Sequence, residues 1–412
     1  ELVYGKATPT EATRKDEGEL FWGHTIKNIS LRIRGVDILW QPIVRSVFSA
    51  DLVVLMQENR IISNYAILAI RKLLRLPTAY WGHGRNFQSN SKSSLREAWK
   101  RFLVNKIDWW FAYTKISVDY LTSNGVPYRI ITNLNNAIDV RLFQNQLSAI
   151  GDCDVKNLKE RLGIKGDAVI GLFCGSCYPE KRIPFLIEAS IELRKLIPNF
   201  HLIAIGNGPT AFLIEDAEQQ HDWIHYLGVL RGAEKACAFK VASVQLNPGL
   251  VGLHVLDAFS SGLPMVTLAS SLHSPEIAYL IHERNGLIIS SDDPIQFATQ
   301  TAECLNNKVV YEQMRNRCLT DSSEYTVENM VENFSAGIIS SASDVTNNLY
   351  LFDTTNAIRL KAPSGLGANL VFTSAPANAV AIQIREIGGG SNVQILGNST
   401  SLTNAVTSIN FT

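Results

Sequence analysis

Residues 167–209 read DAVIGLFCGSCYPEKRIPFLIEASIELRKLIPNFHLIAIGNGP. The first nine, DAVIGLFCG, are a near-continuous apolar run that stops at glycine, as a strand buried on both faces does. A turn follows, GSCYPEKR, carrying Gly175, Pro179 and the charged pair Glu180-Lys181. Residues 183–198 space their apolar side chains as an amphipathic helix does. Residues 201–209, HLIAIGNGP, repeat the first motif, an apolar run that closes on glycines. Strand, glycine loop, helix and strand make a βαβ unit, and repeating it builds a parallel sheet covered by helices.

The same rhythm extends both ways. WIHYLGV (223–229), SVQLNPG (243–249) and PMVTLAS (264–270) are further strands with helices between them. Upstream, strands are expected at 50–57, 77–84, 108–114 and 128–135, and helices at 64–76 and 116–126, the latter stopped by Asn124-Gly125. A polar stretch, 141–166, interrupts the pattern and reads as a linker with a short helix. The fold class is therefore α/β, with two Rossmann-like domains facing across a cleft, where ligands bind such sheets. The domains are residues 1–145 and 146–341. From 342 to 412 the chain turns rich in Asn, Ser, Thr, Ala and Gly with short alternating apolar runs, which predicts a small β-rich module of unknown role.

Composition narrows the function. The chain has 412 residues, 46% hydrophobic and 18% charged, enough for two or three buried cores. Its 38 basic and 38 acidic residues cancel, so no global charge steers it to nucleic acid. The six cysteines (153, 174, 177, 237, 304, 318) are scattered, unlike a secreted disulfide framework, and suggest a reducing cytoplasm. No apolar run spans a bilayer and no signal-peptide pattern opens the chain. It starts at Glu1 without methionine, which reads as an N-terminal truncation.

The loops that close the second-domain strands carry the chemistry. Glycines there let a backbone approach a phosphate, and Lys181 offers it a compact positive charge. Asp257 stands where a carboxylate could accept ribose hydroxyls. Cys174-Gly175-Ser176-Cys177 also admits a dithiol redox centre or half of a zinc site. A second Cys/His pair with suitable spacing is missing from the sequence, so those readings rank last. Asp152-Cys153-Asp154 imitates a metal-binding Asp-x-Asp motif but falls in the linker and is set aside.

From about 50 to 340 the chain resembles the GT-B retaining glycosyltransferases of family 4. That family's G-R-L-x-x-E-K-G loop is matched by residues 175–182 and its G-x-G-P turn by residues 206–209. NPGLVGLHVLDAFSSGLPMVT (247–267) matches its paired-glutamate segment. SLHSPE, ending in Glu276, matches its G-G-x-P-E loop, and Asn285-Gly286 its N-G turn. Asn136-Ala137-Ile138-Asp139 matches the N-G-x-D turn that ends the first domain. The resemblance implies a nucleotide-sugar donor held by Gly175, Ser176, Lys181, Gly206, Gly208, Gly249, Gly252, Leu253 and Asp257. It assigns the reacting end of the cleft to His83, Lys181 and Glu276, without a metal or other cofactor. The implied acceptor is a hydroxyl on a glycan or lipid-linked glycan, in polysaccharide, lipopolysaccharide or glycolipid assembly.

This sequence departs from the family where Gly249 and Asp257 replace the paired glutamates and Ser176 replaces an arginine. A degenerate, non-catalytic sugar-nucleotide-binding or structural protein is therefore the second reading. Each site residue also has a plainer role: a solvated lysine, a polar helix residue at Asp257, a turn histidine, a carboxylate at a helix start, or glycines that only permit a turn. SSLREAWKRFLVNKI (93–107) is an amphipathic helix with a basic face. It is either core-facing or a peripheral contact with the inner membrane.

Overall fold

The computed structural model describes residues 1–8, 18, 20–33, 36–84 and 106–342. Most of the helix expected over 93–107 and of the β-rich module expected over 342–412 lies outside those residues. Residues 1–337 form one compact unit.

The chain opens with two small strand pairs. β1 (Val3–Gly5) runs parallel to β2 (His24–Ile26), and β3 (Ile29–Ile33) antiparallel to β4 (Val36–Trp40). Then comes a four-stranded parallel sheet of β5 (Val53–Met56), β6 (Thr78–Gly82), β7 (Trp109–Ala112) and β8 (Ile131–Asn133), in that order. Between its strands lie α1 (Ser63–Leu73) and α2 (Lys115–Ser123). Arg71, on α1, is fully buried. Its guanidinium donates to the carbonyls of Val47 (2.7 Å), Ala50 (3.0 Å) and Pro77 (2.6 Å), which pins the entry to β5 against the start of β6. Arginine's fixed fork can satisfy several carbonyls at once, so this buried charge is hydrogen-bonded on both sides.

Two helices follow, α3 (Val140–Ala149) and α4 (Asp152–Arg161), where a linker with one short helix was expected. Asp139 caps α3 by accepting the Leu142 N–H (2.8 Å), and the Asp154 carboxylate accepts the Gly151 N–H (2.8 Å) at the start of α4. Val140, Phe143, Ile150 and Leu158 bury the inner faces of this pair in the second domain's core. The polar residues that suggested a linker are the outer faces. Asp154 is a capping residue, so the Asp-x-Asp likeness has a structural origin.

The second sheet holds β9 (Val169–Cys174), β10 (Phe200–Ile205), β11 (Ile224–Tyr226), β12 (Val244–Leu246), β13 (Met265–Leu268) and β14 (Gly286–Ile289). All neighbours are parallel, in the order β11-β10-β9-β12-β13-β14. The connecting helices are α5 (Ile183–Leu196), α6 (Phe212–Gln220), α7 (Gly232–Val241) and α8 (His254–Ser260), with α9 (Pro294–Asn306), α10 (Lys308–Ser322) and α11 (Val327–Ala342) after β14. Side chains alternate between two cores. Ile170, Leu172 and Cys174 enter one, and Phe173 with Phe200, Leu202 and Ala204 the other. A sheet covered on both faces needs apolar residues at every position, which is why these strands read as continuous apolar runs.

Among the described residues no helix is long and apolar enough to cross a membrane.

Candidate functional site

Strand order locates the site. Connections leave β9 toward β10 on one side and β12 toward β13 on the other, so the loops after β9 and β12 diverge from adjacent strands. A crevice at such a switch point is where open α/β sheets bind ligands.

The loop after β9 is locked against the loop after β10. Gly175 N–H donates to Ile205 O (3.0 Å) and Cys177 N–H to Asn207 O (2.9 Å), while Thr210 Oγ1 donates to Cys177 O (2.7 Å). Gly206 and Gly208 make this approach possible. Both have positive φ, and a Cβ on Gly206 would lie 1.8 Å from Gly175 O. Cys177 is fully buried and anchors the loop. Burial pushes the Cys177 thiol up to about 11 and the Cys174 thiol up to about 12, away from the thiolate that redox chemistry uses.

Lys181 crosses to the loop after β12. Its Nζ donates to Leu250 O (2.5 Å) and Asn247 Oδ1 (3.4 Å) and lies 3.4 Å from His254 Nε2. Among the described residues it has no carboxylate partner, and burial lowers its pKa to about 7. The loop itself is tied down. Asn247 Nδ2 donates to Gly249 O (3.0 Å), Leu250 N–H to Glu180 O (2.9 Å) and Ser271 Oγ to Pro248 O (2.6 Å). A Cβ on Gly249 would meet Glu180 O at 2.2 Å, so no side chain fits there. Gly252 and Leu253 are half-buried at the entrance to α8, Gly175 is half-buried, and Ser176 is exposed.

Asp257 is buried and accepts a hydrogen bond from Lys235 Nζ (2.8 Å). Burial raises its pKa and Lys235 opposes that rise. The Lys235 ammonium also lies over the Phe143 ring, 4.7 Å from its centroid. This pair is formed only in the fold, since Lys235 lies on α7 and Asp257 on α8.

His83 and Glu276 meet through first-domain residues. The His83 ring stands edge-on to Tyr113 at 4.2 Å, and burial lowers its pKa to about 4. Asn136 N–H donates to Tyr113 O (2.8 Å), and Asn136 Nδ2 donates to Glu276 Oε1 (2.9 Å). Burial and then the charge of Glu276 push Tyr113 up to about 12. Glu276 is itself buried and its pKa raised. Its loop joins the Lys181 cluster, since Val251 N–H donates to His273 Nδ1 (3.1 Å) and Ser274 N–H to Val251 O (2.9 Å). Most of the expected site residues thus lie on loops at the carboxyl ends of the two sheets, and Asp257 lies on α8. Asn136, Lys235, Asn247, His254 and His273 join them without having been singled out for the site.

Residues 168–307 match the family model described as Glycosyl transferases group 1. A stretch of 147 residues is 27% identical to the alpha-monoglucosyldiacylglycerol synthase of Acholeplasma laidlawii, covering 34% of this chain and 36% of that protein. The chain thus spans about a third of that relative's length. The structure is similar to that of Anabaena HepE in complex with UDP, with a TM-score of 0.57 and 15% identity over 71% of this chain and 80% of that one. It is similar to a sucrose-phosphate synthase from Thermosynechococcus elongatus, with a TM-score of 0.52 and 16% identity over 70% and 73% of the two chains. The fold is GT-B.

Proposed function

We propose that the chain is a glycosyltransferase that moves a sugar from a nucleotide-sugar donor to a hydroxyl acceptor with retention at the anomeric carbon. One observation carries this reading: Lys181 is a buried ammonium whose partners are a carbonyl, an amide oxygen and an imidazole. Such a charge is hydrogen-bonded but not balanced, and a diphosphate would balance it. Negative charge grows on the leaving diphosphate as the glycosidic bond breaks. A fixed lysine and oriented N–H groups of the Gly252–Leu253 turn are groups that stabilise it. In this scheme Asp257 meets the ribose, His83 and Glu276 line the sugar side, and no metal takes part. The similarity to the alpha-monoglucosyldiacylglycerol synthase of Acholeplasma laidlawii supports a lipid-linked acceptor. It fits an enzyme of glycolipid or polysaccharide assembly in the cytoplasm, in peripheral contact with a membrane.

Gly249 favours a second reading. Its surroundings admit no side chain, so the first of the family's two glutamates has no counterpart there, and a binding protein without turnover would need none. Incubation with UDP-glucose, GDP-mannose and ADP-glucose separates the two. Release of nucleoside diphosphate that Lys181→Ala abolishes supports the transferase. Binding without release supports the second reading, and neither binding nor release contradicts both.

A further inference from the structure

Lys181 is one cation, and a donor diphosphate carries about two negative charges. Ser176, exposed in the loop after β9, brings none of the compensation an arginine would. Lys235 is the other nearby ammonium, but its charge is already opposed by Asp257 at 2.8 Å. The group that directly adjoins Lys181 is His254, on the first turn of α8, with Nε2 3.4 Å from Nζ. An ammonium donates and never accepts, so in the empty site Nε2 is unprotonated. No carboxylate among the described residues pairs with either group, which leaves the Lys181–His254 pair with one positive charge where a diphosphate would favour two.

We infer that His254 is the second cation of the donor-phosphate site and becomes charged only as the diphosphate binds; this rests on the nucleotide-sugar reading above. The phosphate oxygens draw the Lys181 protons away from Nε2. Nε2 then takes one proton from solvent and donates it to a phosphate oxygen, so one proton is bound per donor and no covalent bond changes. The surroundings set the empty state. Burial first, then the positive charges of Lys181 and Lys235 and the nearby His273, hold His254 well below the usual histidine range. His273 faces the same space. It accepts Val251 N–H at Nδ1, and its Nε2 lies 2.8 Å from Leu268 O, which fixes it as a neutral Nε2–H tautomer. Of the two imidazoles beside Lys181, only His254 contacts the ammonium.

The test is calorimetric titration of UDP-glucose, GDP-mannose and ADP-glucose at pH 6 and pH 7, in buffers of different ionisation enthalpy. These diphosphate diesters do not titrate near neutrality, and Lys181 is largely charged at pH 6. Wild-type protein should take up about one proton at pH 6 and bind up to about tenfold tighter there than at pH 7. His254→Gln, which keeps a polar group of similar reach, should lose that uptake and show only the roughly twofold difference in affinity that Lys181 alone gives between the two values. Zero proton uptake by the wild type overturns the inference without reference to any variant. Equal uptake in a folded His254→Gln or His254→Asn protein also overturns it and leaves the transferase reading standing. Binding of none of the three donors overturns both.

Discussion

Lys181 has a pH dependence that follows from its burial. Its pKa falls to about 7 from the ordinary lysine value, because desolvation disfavours the ammonium. Between about pH 7 and pH 10 the unfolded chain binds this proton and the folded, empty site does not, so this lysine makes the protein more stable as pH rises through that window. An anion that needs the ammonium reverses the balance. Affinity for UDP-glucose should therefore weaken at least about tenfold per unit above pH 7, and residual binding by Lys181→Ala should lose about one proton's share of that slope, as titration at pH 7, 8 and 9 would report. Lys235→Met makes a different prediction. It strands the buried Asp257 carboxylate and should cost about 3 kcal/mol in urea unfolding, while Lys235→Met with Asp257→Asn should recover much of it. Lys181 was legible because a glycine loop with Glu-Lys before a helix is a local pattern. Its partner His254 lies 73 residues away and Lys235 lies 22 from Asp257, separations at which only the folded sheet brings groups together.

Strands β5 to β13 were legible because they are largely buried and their apolar runs nearly unbroken, whereas β2 and β3 are largely exposed and gave no such signal. The helices α3 and α4 were not legible, because one face packs and the rest is polar, and the capping aspartates resembled loop residues. The loops after β9, β10 and β12 form one interlocked wall, and its glycines carry two predictions. Gly206→Ala places a methyl group against Gly175 O and should cost at least about 2 kcal/mol and loosen donor binding, measured by urea unfolding and titration. Gly249→Glu supplies the missing family residue but cannot seat it beside Glu180 O, so it should destabilise the wall without raising turnover. At the edge of the second sheet, His201 Nδ1 lies 3.0 Å from His225 Nε2 on β10 and β11. Burial and then the neighbouring His201 lower the His225 pKa to about 4. A base with a depressed folded pKa stabilises fully above about pH 6.5 and loses that contribution as pH falls toward 4. Thermal unfolding from pH 7 to pH 4 should show this loss, and His225→Asn should flatten it.

Loops of the two sheets meet through a few specific contacts. Asn136 of the first domain holds Glu276 of the second across 140 residues of sequence, and Tyr279 donates to Asn136 O at 2.9 Å. α11 returns to the first sheet, where Phe334 stacks on Phe111 at 4.4 Å and Asn333 Nδ2 donates to Leu134 O. Phe334→Ala should cost about 2 kcal/mol, since the ring is half-buried and loses both packing and stacking. Asn136→Ala should leave the fold intact and raise the KM for donor more than it lowers kcat. Its amide donates to the Glu276 carboxylate and so positions it. The parallel α/β sheets were legible from the repeated strand–helix rhythm, whereas the contacts that join them include single polar residues in loops. The central claim is that an unbalanced lysine in the switch-point crevice binds a donor diphosphate. Calorimetric titration of UDP, GDP and ADP into wild-type and Lys181→Ala protein at pH 7 tests it most directly. At least one nucleotide should bind the wild type and lose about a hundredfold in affinity, or about 2.7 kcal/mol, in the variant; equal binding by both proteins, or no binding by the wild type, would contradict it.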